Sequence, residues 1–150
     1  MSTIQRETFE EAAPGVESLI EAHWREVALY QDAIPLEPDW DRYAKADAAG
    51  KLVVITARDA GVLIGYSVFL LHEHLHYSSC LVASNDVIYL RPEKRGIVGA
   101  KLIKRSEEIL RGLGVRRVTW HIKPKNDWSS ILARMEYDQE EIIMGKLLEN

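Results

Sequence analysis

The spacing of apolar residues changes along the chain between a helical and an extended period. Between residues 16 and 27 the apolar positions recur at intervals of three and four, which predicts an amphipathic helix. His23 lies on this apolar stripe, so we expect a packed histidine there and not a catalytic one. Asp39 is a capping residue type and Gly50 a terminating one, and they enclose a second predicted helix that carries Trp40 and Tyr43. The segment 31–38 contains two prolines and is predicted to be a loop.

Extended patterns occupy the start and the middle of the chain. Residues 3–9 predict a short strand with Ile4 and Phe9 inward, and Pro14 with Gly15 is expected to separate it from the first helix. Residues 51–58 and 62–71 flank a short turn that contains Gly61, so they predict a β-hairpin. The second strand should continue through residues 72–77, and residues 79–90 should pair back against it.

The end of that returning strand precedes a loop and a helix. Alternation places Val87 and Tyr89 on one face of the strand, and Asp86, Ile88 and Leu90 on the other. A loop rich in glycine and positive charge covers residues 91–96, and a helix is predicted over residues 97–113. The first N–H groups of a helix lack partners within it, and the helix dipole adds positive charge there, so this order predicts an anion site.

The remaining residues complete a mixed α/β pattern in a single domain, residues 1–150. Gly112 and Gly114 should end the helix, and residues 115–122 predict another strand. Asn126 or Asp127 is expected to cap a short helix, and residues 140–148 to form a last strand. The predicted order is β-α-α-β-β-β-α-β-α-β.

Composition and charge narrow the classes of function. The 150 residues are 47% apolar, enough for one domain core, and they contain no apolar run of membrane-spanning length. The single cysteine, Cys80, and an N-terminus unlike a signal peptide favour a cytoplasmic protein. Residues 91–125 carry a net charge of +8, which leaves −12 for the rest of a chain of net charge −4. A basic island in an acidic chain suits a compact polyanion better than a long nucleic acid, whose phosphates the flanking surfaces would repel.

The run Y-L-R-P-E-K-R-G-I-V-G-A-K-L-I, residues 89–103, resembles the acetyl-CoA signature of GCN5-related N-acetyltransferases (GNATs), above all small phage and prophage members. That signature reads roughly hydrophobic-Tyr-Val-x-Pro-Glu-x-Arg-Gly-x-Gly-x-Gly-x-x-Leu. The chain is one residue shorter before the helix, so two alignments are open. Either Arg95 matches the family arginine and Val98 and Ala100 take glycine positions, or Gly99 matches the second glycine and Lys94 the arginine. Both alignments place residues 95–101 under the pyrophosphate.

The resemblance implies the GNAT fold, with a sheet whose fourth and fifth strands diverge around acetyl-CoA, the acetyl donor. The implied cofactor-binding residues are Val87, Ile88, Tyr89, Leu90, Lys94, Arg95, Gly96, Ile97, Val98, Gly99, Ala100, Lys101 and Asn126. For Asn126 a helix-capping role is an equal alternative.

The implied reaction is direct attack of a primary amine on acetyl-CoA, and an amine that is protonated at neutral pH needs a base. Asp86 is the leading candidate for that base and His121 the second. The family's usual general acid is a tyrosine, but Leu132 stands at its position here and Glu136 at that of a following glycine, with Tyr137 as a packing aromatic. The alternative is therefore a catalytically silent protein of this fold that binds coenzyme A or a partner macromolecule.

His72, His74 and His76 alternate along the chain. Alternate residues of a straight strand lie about 6.6 Å apart, too far to converge on one zinc ion, so no metal site is predicted. His74 and His76 are predicted instead to contact the acceptor, a small-molecule or peptide amine. Related proteins are often homodimers, which makes a homodimer possible here.

Overall fold

The computed structural model of the protein describes residues 2–149, and these form a five-stranded sheet with helices on both faces. The strands lie in the order β1-β2-β3-β4-β5, antiparallel except for the parallel pair β4 and β5. The elements in chain order are β1 (Ser2–Glu7), α1 (Phe9–Val27), α2 (Trp40–Ala48), β2 (Leu52–Asp59), β3 (Val62–His74), β4 (Tyr77–Leu90), α3 (Ile97–Gly112), β5 (Arg117–Thr119) and α4 (Ser129–Arg134). Short 3-10 turns precede α3 and α4, at Pro92–Lys94 and Pro124–Asn126. The predicted fold class is confirmed.

Helix α1 begins earlier than the apolar pattern predicts. The Thr8 side chain accepts a hydrogen bond from the Glu11 N–H, and the Glu11 carboxylate accepts one from the Thr8 N–H. This capping box satisfies two donors at the helix start, so the helix begins at Phe9 and continues through Pro14. The prediction that the first strand reaches residue 9 is therefore wrong, and Phe9 packs against Trp40 and Tyr43 instead.

The two largest apolar clusters lie on opposite faces of the sheet. Val54, Tyr66 and Tyr89 pack with α1, whereas Val53 and Phe69 pack with α3. Strand alternation separates neighbours such as Val53 and Val54, and the β2–β3 hairpin turns at Ala60 and Gly61, both with positive φ. The predicted hairpin, second helix and central helix are confirmed.

A bulge interrupts β4 at Asp86. Val87 pairs with Val68 and Asn85 with Phe69, which leaves Asp86 unpaired between them. The buried Asn85 amide donates to the carbonyl oxygens of Val68 (3.2 Å) and Val87 (3.1 Å), so it bonds carbonyls on both sides of the bulge. The extra residue shifts the alternation, and the Asp86 side chain lies on the α2 face with Val87. Its predicted place on the face of Ile88 and Leu90 is wrong, whereas the faces predicted for Val87 to Leu90 are correct.

Strands β4 and β5 diverge soon after they meet. Pairing joins only Val82–Ser84 to Arg117–Thr119, and beyond Ser84 the strand β4 continues for six residues without β5. The predicted divergence is therefore present. Strand β5 is shorter than the predicted 115–122, because residues 120–122 have no neighbouring strand to pair with.

The predicted last strand, residues 140–148, is wrong. Residues 138–149 form neither strand nor helix, and Ile142, Ile143, Met144 and Leu148 are between 73% and 89% exposed. A strand needs a neighbour for its backbone hydrogen bonds, and the three residues of β5 offer few. The Arg117–Glu140 ion pair is the contact that ties this segment to β5.

Candidate active site

The opening between β4 and β5 exposes one edge of β4. Residues 85–90 pair with β3 on one side and have no strand on the other. On the paired side, a Cβ placed on Gly65 of β3 would lie 2.6 Å from the Tyr89 carbonyl oxygen, so β3 requires glycine at this position. This edge could therefore accept an extended ligand as an added strand, since backbone groups there have no partner strand.

The N-terminus of α3 lies next to the end of β4 and fits an anionic group. Gly96 caps the helix with φ 94°, which favours glycine, and no side chain caps the first N–H groups. The first hydrogen bond within the helix runs from the Ala100 N–H to the Gly96 carbonyl, 3.1 Å away. A Cβ at Gly99 would meet only Leu90 Cδ2, at 3.9 Å. No protein contact thus requires glycine at 99, and the free space beside it suits close approach of a phosphate group.

The side chains of Lys94 and Arg95 bind protein groups. Lys94 Nζ lies 2.9 Å from an Asp59 carboxylate oxygen. The Arg95 guanidinium donates to Glu26 (2.7 Å) and to the Leu90 carbonyl (2.8 Å), and it lies over the Tyr89 ring. In this arrangement the backbone of residues 95–101, more than these two side chains, faces the space at the helix start.

Glu26 links both sides of the opening. Its carboxylate binds Arg95, before α3, and accepts a hydrogen bond from the Asn126 amide (3.4 Å), after β5. The hydrogen bond from Arg95 lowers the pKa of Glu26. Asn126 does not cap α4, because Asp127 accepts the Ser129 N–H (2.8 Å) there. Sequence reasoning missed Glu26, since a lone glutamate near the end of a helix carries no distinguishing pattern.

Asp86 lies beside the opening and is bound by Tyr43 of α2. The Tyr43 hydroxyl donates to the Asp86 carboxylate over 2.5 Å, and burial together with this bond raises the pKa of Tyr43. His121 is exposed two residues beyond the end of β5. The structure thus places Asp86 at the bulge, close to where β4 separates from β5. His121 lies on the other side of the opening, just after β5.

The side chain of His23, on α1, is buried between α1 and the sheet, as predicted. It is 6% exposed, hydrogen-bonds Tyr66 Oη through Nδ1 (2.9 Å) and stacks on Tyr89. Burial lowers the pKa of His23 to about 4, so the ring is neutral at neutral pH. The neutral ring between the two tyrosines therefore adds a polar but uncharged group to the core between α1 and the sheet.

His74 and His76 lie at the far end of β4. His74 is the last residue of β3 and His76 lies in the β3–β4 turn, where their rings are 5.5 Å apart. Asp86 lies nine residues along β4 from Tyr77, about 30 Å away. The structure does not bring these two histidines to the opening. Among residues 2–149, no group of three or more histidine, cysteine, aspartate or glutamate side chains could hold a metal ion.

A family model decides the class of protein to which this site belongs. The model described as the acetyltransferase (GNAT) family matches residues 16–137. The chain belongs to this family. As a GNAT it is an acetyl-CoA-dependent N-acetyltransferase, and the glycine-capped start of α3 and the open edge of β4 fit the diphosphate and the pantetheine arm of that donor.

Solved structures of acetyltransferases share this fold over nearly the whole chain. An aminoglycoside acetyltransferase from an uncultured soil metagenomic sample, in complex with sisomicin, has a TM-score of 0.75 at 16% identity, covering 99% of this chain and 97% of its own. Glucosamine-6-phosphate N-acetyltransferase from Arabidopsis thaliana has a TM-score of 0.73 at 12% identity, covering 99% of both chains. A predicted acetyltransferase with acetyl-CoA from Clostridium acetobutylicum has a TM-score of 0.70 at 9% identity, covering 98% and 96%. At these identities the likeness shows the fold alone.

Two further findings, one from sequence comparison and one from the helices, concern this GNAT chain. No curated protein is significantly similar to it in sequence. Within residues 2–149, none of the helices combines the length and the apolar character needed to cross a membrane.

The sequence prediction for the usual GNAT tyrosine concerns α4 and the turn that follows it. Leu132, which the sequence alignment places there, is buried in α4. Glu136 has φ 68°, a backbone conformation that suits the glycine of the family pattern. Tyr137 packs edge-on against Trp120, and burial raises its pKa to about 12. That the chain lacks the general acid usual in the family stays a prediction from the sequence.

Proposed function

We propose that the chain transfers the acetyl group of acetyl-CoA to a primary amine by direct attack in a ternary complex. The observation that carries this proposal is the free edge of β4 beyond Ser84, which leads directly to the glycine-capped N-terminus of α3. An open strand edge followed by a helix N-terminus suits coenzyme A, because its extended pantetheine arm leads from the thiol to a diphosphate. Acetyl-CoA supplies the activated acetyl group as a thioester.

The backbone of this chain holds the donor. N–H groups of residues 97–99 at the start of α3 bind the diphosphate, and Gly96 and Gly99 leave room for it. Backbone groups of Val87 to Leu90 pair with the amides of the pantetheine arm. Lys101 is exposed in the first turn of α3 and adds positive charge. Arg95 stabilises the loop 91–96 through its hydrogen bond to Glu26.

Asp86 acts as the base for the attacking amine. The bulge directs its carboxylate to the α2 face beside the free edge of β4, and Tyr43 fixes one carboxylate oxygen. The second oxygen is free to accept the proton of an ammonium group, directly or through a water molecule. His121 is a second candidate for this role because it follows β5 on the other side of the opening.

The thiolate leaves without a tyrosine acid at the usual position, which Leu132 occupies. A coenzyme A thiol is a moderate acid, so its thiolate is a fair leaving group near neutral pH. One backbone N–H at the bulge polarises the thioester carbonyl and stabilises the negative charge that develops on its oxygen. Catalysis then depends on position and on amine deprotonation more than on acid catalysis.

Two measurements test this function in sequence. Isothermal titration with acetyl-CoA is expected to show one site per chain, and a thiol-release assay over an amine panel is expected to show turnover. Binding without thiol release for any amine would favour the silent coenzyme A binder, and absence of binding would overturn both proposals. A cytoplasmic location, a homodimer and an affiliation with phage proteins stay predictions.

A further inference from the structure

A cavity of about 310 Å³ lies between α1, the segment 28–39, α2 and the sheet. Its wall includes Val87, on the free edge of β4, and Lys123, four residues beyond β5. These two residues flank the opening in which the proposed function places the thioester. A molecule in the cavity would therefore present its reactive end to that opening.

The lining is mostly apolar and partly aromatic. Fourteen of the nineteen lining residues are apolar, among them Phe9, Trp24, Trp40 and Leu36. The volume is near the lower limit of small-molecule sites, which is about 300 Å³. Such a space suits one or two rings on a short alkyl chain, and burial of an aromatic ring against these side chains is favourable.

The cavity carries little charge. Glu37 is the only carboxylate among its lining residues, and Lys123, whose ammonium group donates to the Val27 carbonyl (2.9 Å), is the only ammonium. His23 is neutral, since burial lowers its pKa to about 4. A ligand with several ammonium groups would find one carboxylate in the lining, whereas a single amine can be met by Asp86, bound to the lining residue Tyr43.

We infer that this cavity is the acceptor site and that it selects a monoamine with an aromatic group, in preference to a polycationic sugar or a peptide. The inference rests on the proposed function, because the cavity opens toward the proposed position of the thioester. The aromatic group packs among the tryptophan and valine side chains, and the amine points toward Asp86 and the free edge of β4.

The first experiment compares amines in the thiol-release assay: 2-phenylethylamine, ethylamine, sisomicin and a short peptide with an N-terminal alanine. We expect kcat/KM for 2-phenylethylamine to exceed that for ethylamine on the order of 100-fold, from burial of the phenyl group. Equal values for the two monoamines, or a preference for sisomicin or the peptide, would overturn the inference and leave acetyl transfer intact.

A matched pair of variants locates the effect. Leu36 lines the cavity, whereas Ile34, in the same segment, is 48% exposed and lies outside the lining. Leu36→Ala is expected to lower kcat/KM for 2-phenylethylamine about tenfold and to lower that for ethylamine much less, because the removed side chain packs against the ring. Ile34→Ala should change neither, and an equal effect of both variants would contradict the assignment.

Direct binding separates this inference from the proposed function. Trp24 and Trp40 line the cavity, so 2-phenylethylamine should change the intrinsic tryptophan fluorescence of the protein, and Leu36→Ala should weaken that binding. Binding with this pattern but no turnover would support the cavity assignment and overturn acetyl transfer. Turnover of other amines with no fluorescence change would overturn the cavity assignment alone.

Discussion

The Tyr43 hydroxyl donates a 2.5 Å hydrogen bond to the Asp86 carboxylate, and this bond joins α2 to the bulge of β4. The two residues are 43 positions apart in sequence. Because the bulge shifts the strand alternation, the carboxylate lies on the face where α2 can reach it. A candidate base is thus held by a helix that also lines the cavity proposed as the acceptor site.

Asp86→Asn is expected to lower kcat at least 100-fold at pH 7, since an amide cannot accept the proton of the amine. The asparagine oxygen can still accept the Tyr43 hydrogen bond, so the fold should persist. Thiol-release kinetics and a urea unfolding curve measure the two effects. Asp32→Asn, at an exposed loop position, is the matched control and should leave kcat unchanged. Activity of Asp86→Asn near the wild-type level would move the role of base to His121.

Tyr43→Phe is expected to lower kcat about tenfold without a comparable change in the affinity for acetyl-CoA. The ring that lines the cavity is retained, and only the hydroxyl that fixes Asp86 is lost. A carboxylate with one fewer constraint adopts the reactive position less often. Steady-state kinetics together with titration calorimetry separate these effects. A weakened acetyl-CoA affinity with unchanged kcat would contradict the positioning role.

Gly99→Ala is expected to weaken acetyl-CoA binding at least tenfold while leaving the free protein as stable or more stable. The nearest protein atom to the added methyl group is 3.9 Å away, so folding does not resist it, and alanine favours helix by about 1 kcal/mol. The same methyl group would occupy the space proposed for the diphosphate. Gly112→Ala, at the other end of α3, meets no atom within 4 Å and serves as the control for helix stability. Equal acetyl-CoA affinities of the two variants would place the diphosphate elsewhere.

Glu7→Gln is expected to destabilise the fold by about 2 kcal/mol at pH 7, since it removes a buried carboxylate hydrogen-bonded by a guanidinium. The Glu7 carboxylate accepts two 2.8 Å bonds from Arg58 and one from Thr56, and the Arg58 bond lowers the pKa of Glu7. Stabilisation by a group with a lowered pKa is present above its unfolded value of 4.5 and is lost as pH falls through the folded value. Urea unfolding should therefore show a smaller difference between the variant and the wild type at pH 3 than at pH 7. The exposed Glu17→Gln is the control, and a difference independent of pH would contradict an ionic role.

Stability should also decrease as pH falls from 7 to 5 because of His23. Its pKa is about 4 in the folded protein against 6.5 in the unfolded chain, so the unfolded chain binds more protons between these values. The expected loss from this one group is about 2 kcal/mol between pH 7 and 5. Comparison with His23→Gln isolates it, since the amide does not titrate. An NMR titration that shows all five histidines protonating near pH 6.5 would contradict the prediction.

The central elements could be predicted from sequence because local signals and long-range packing agree there. Residues 62–71 and 79–90 are strongly β-forming, and the structure pairs them as β3 and β4. Gly96 at the start of α3 and Asp39 at the start of α2 also lie where their residue types predict. In these segments each local preference is satisfied by the tertiary structure.

The predictions that were wrong depend on contacts distant in sequence. The side of the sheet taken by Asp86 depends on the bulge, which the Asn85 amide bridges through the carbonyl of Val68 on another strand. The last strand, 140–148, would need a partner that three-residue β5 does not provide. The early start of α1 was the exception, since the Thr8–Glu11 capping box is a local signal present in the sequence.

Of the three glycines at this site, Gly65 of β3 has the least space for a side chain, although it lies outside the loop that precedes α3. Even one methyl group there would overlap the backbone of Tyr89 and the side chain of Leu90, whereas Gly96 and Gly99 have open space around them. A mutational scan should accordingly find position 65 intolerant in assays of folding and position 99 sensitive chiefly in assays of ligand binding, whereas the positive φ of Gly96 should make position 96 sensitive in both. Gly65 thus prevents a clash between β3 and β4 behind the opening, whereas Gly96 and Gly99 leave the space at the start of α3 free for a ligand.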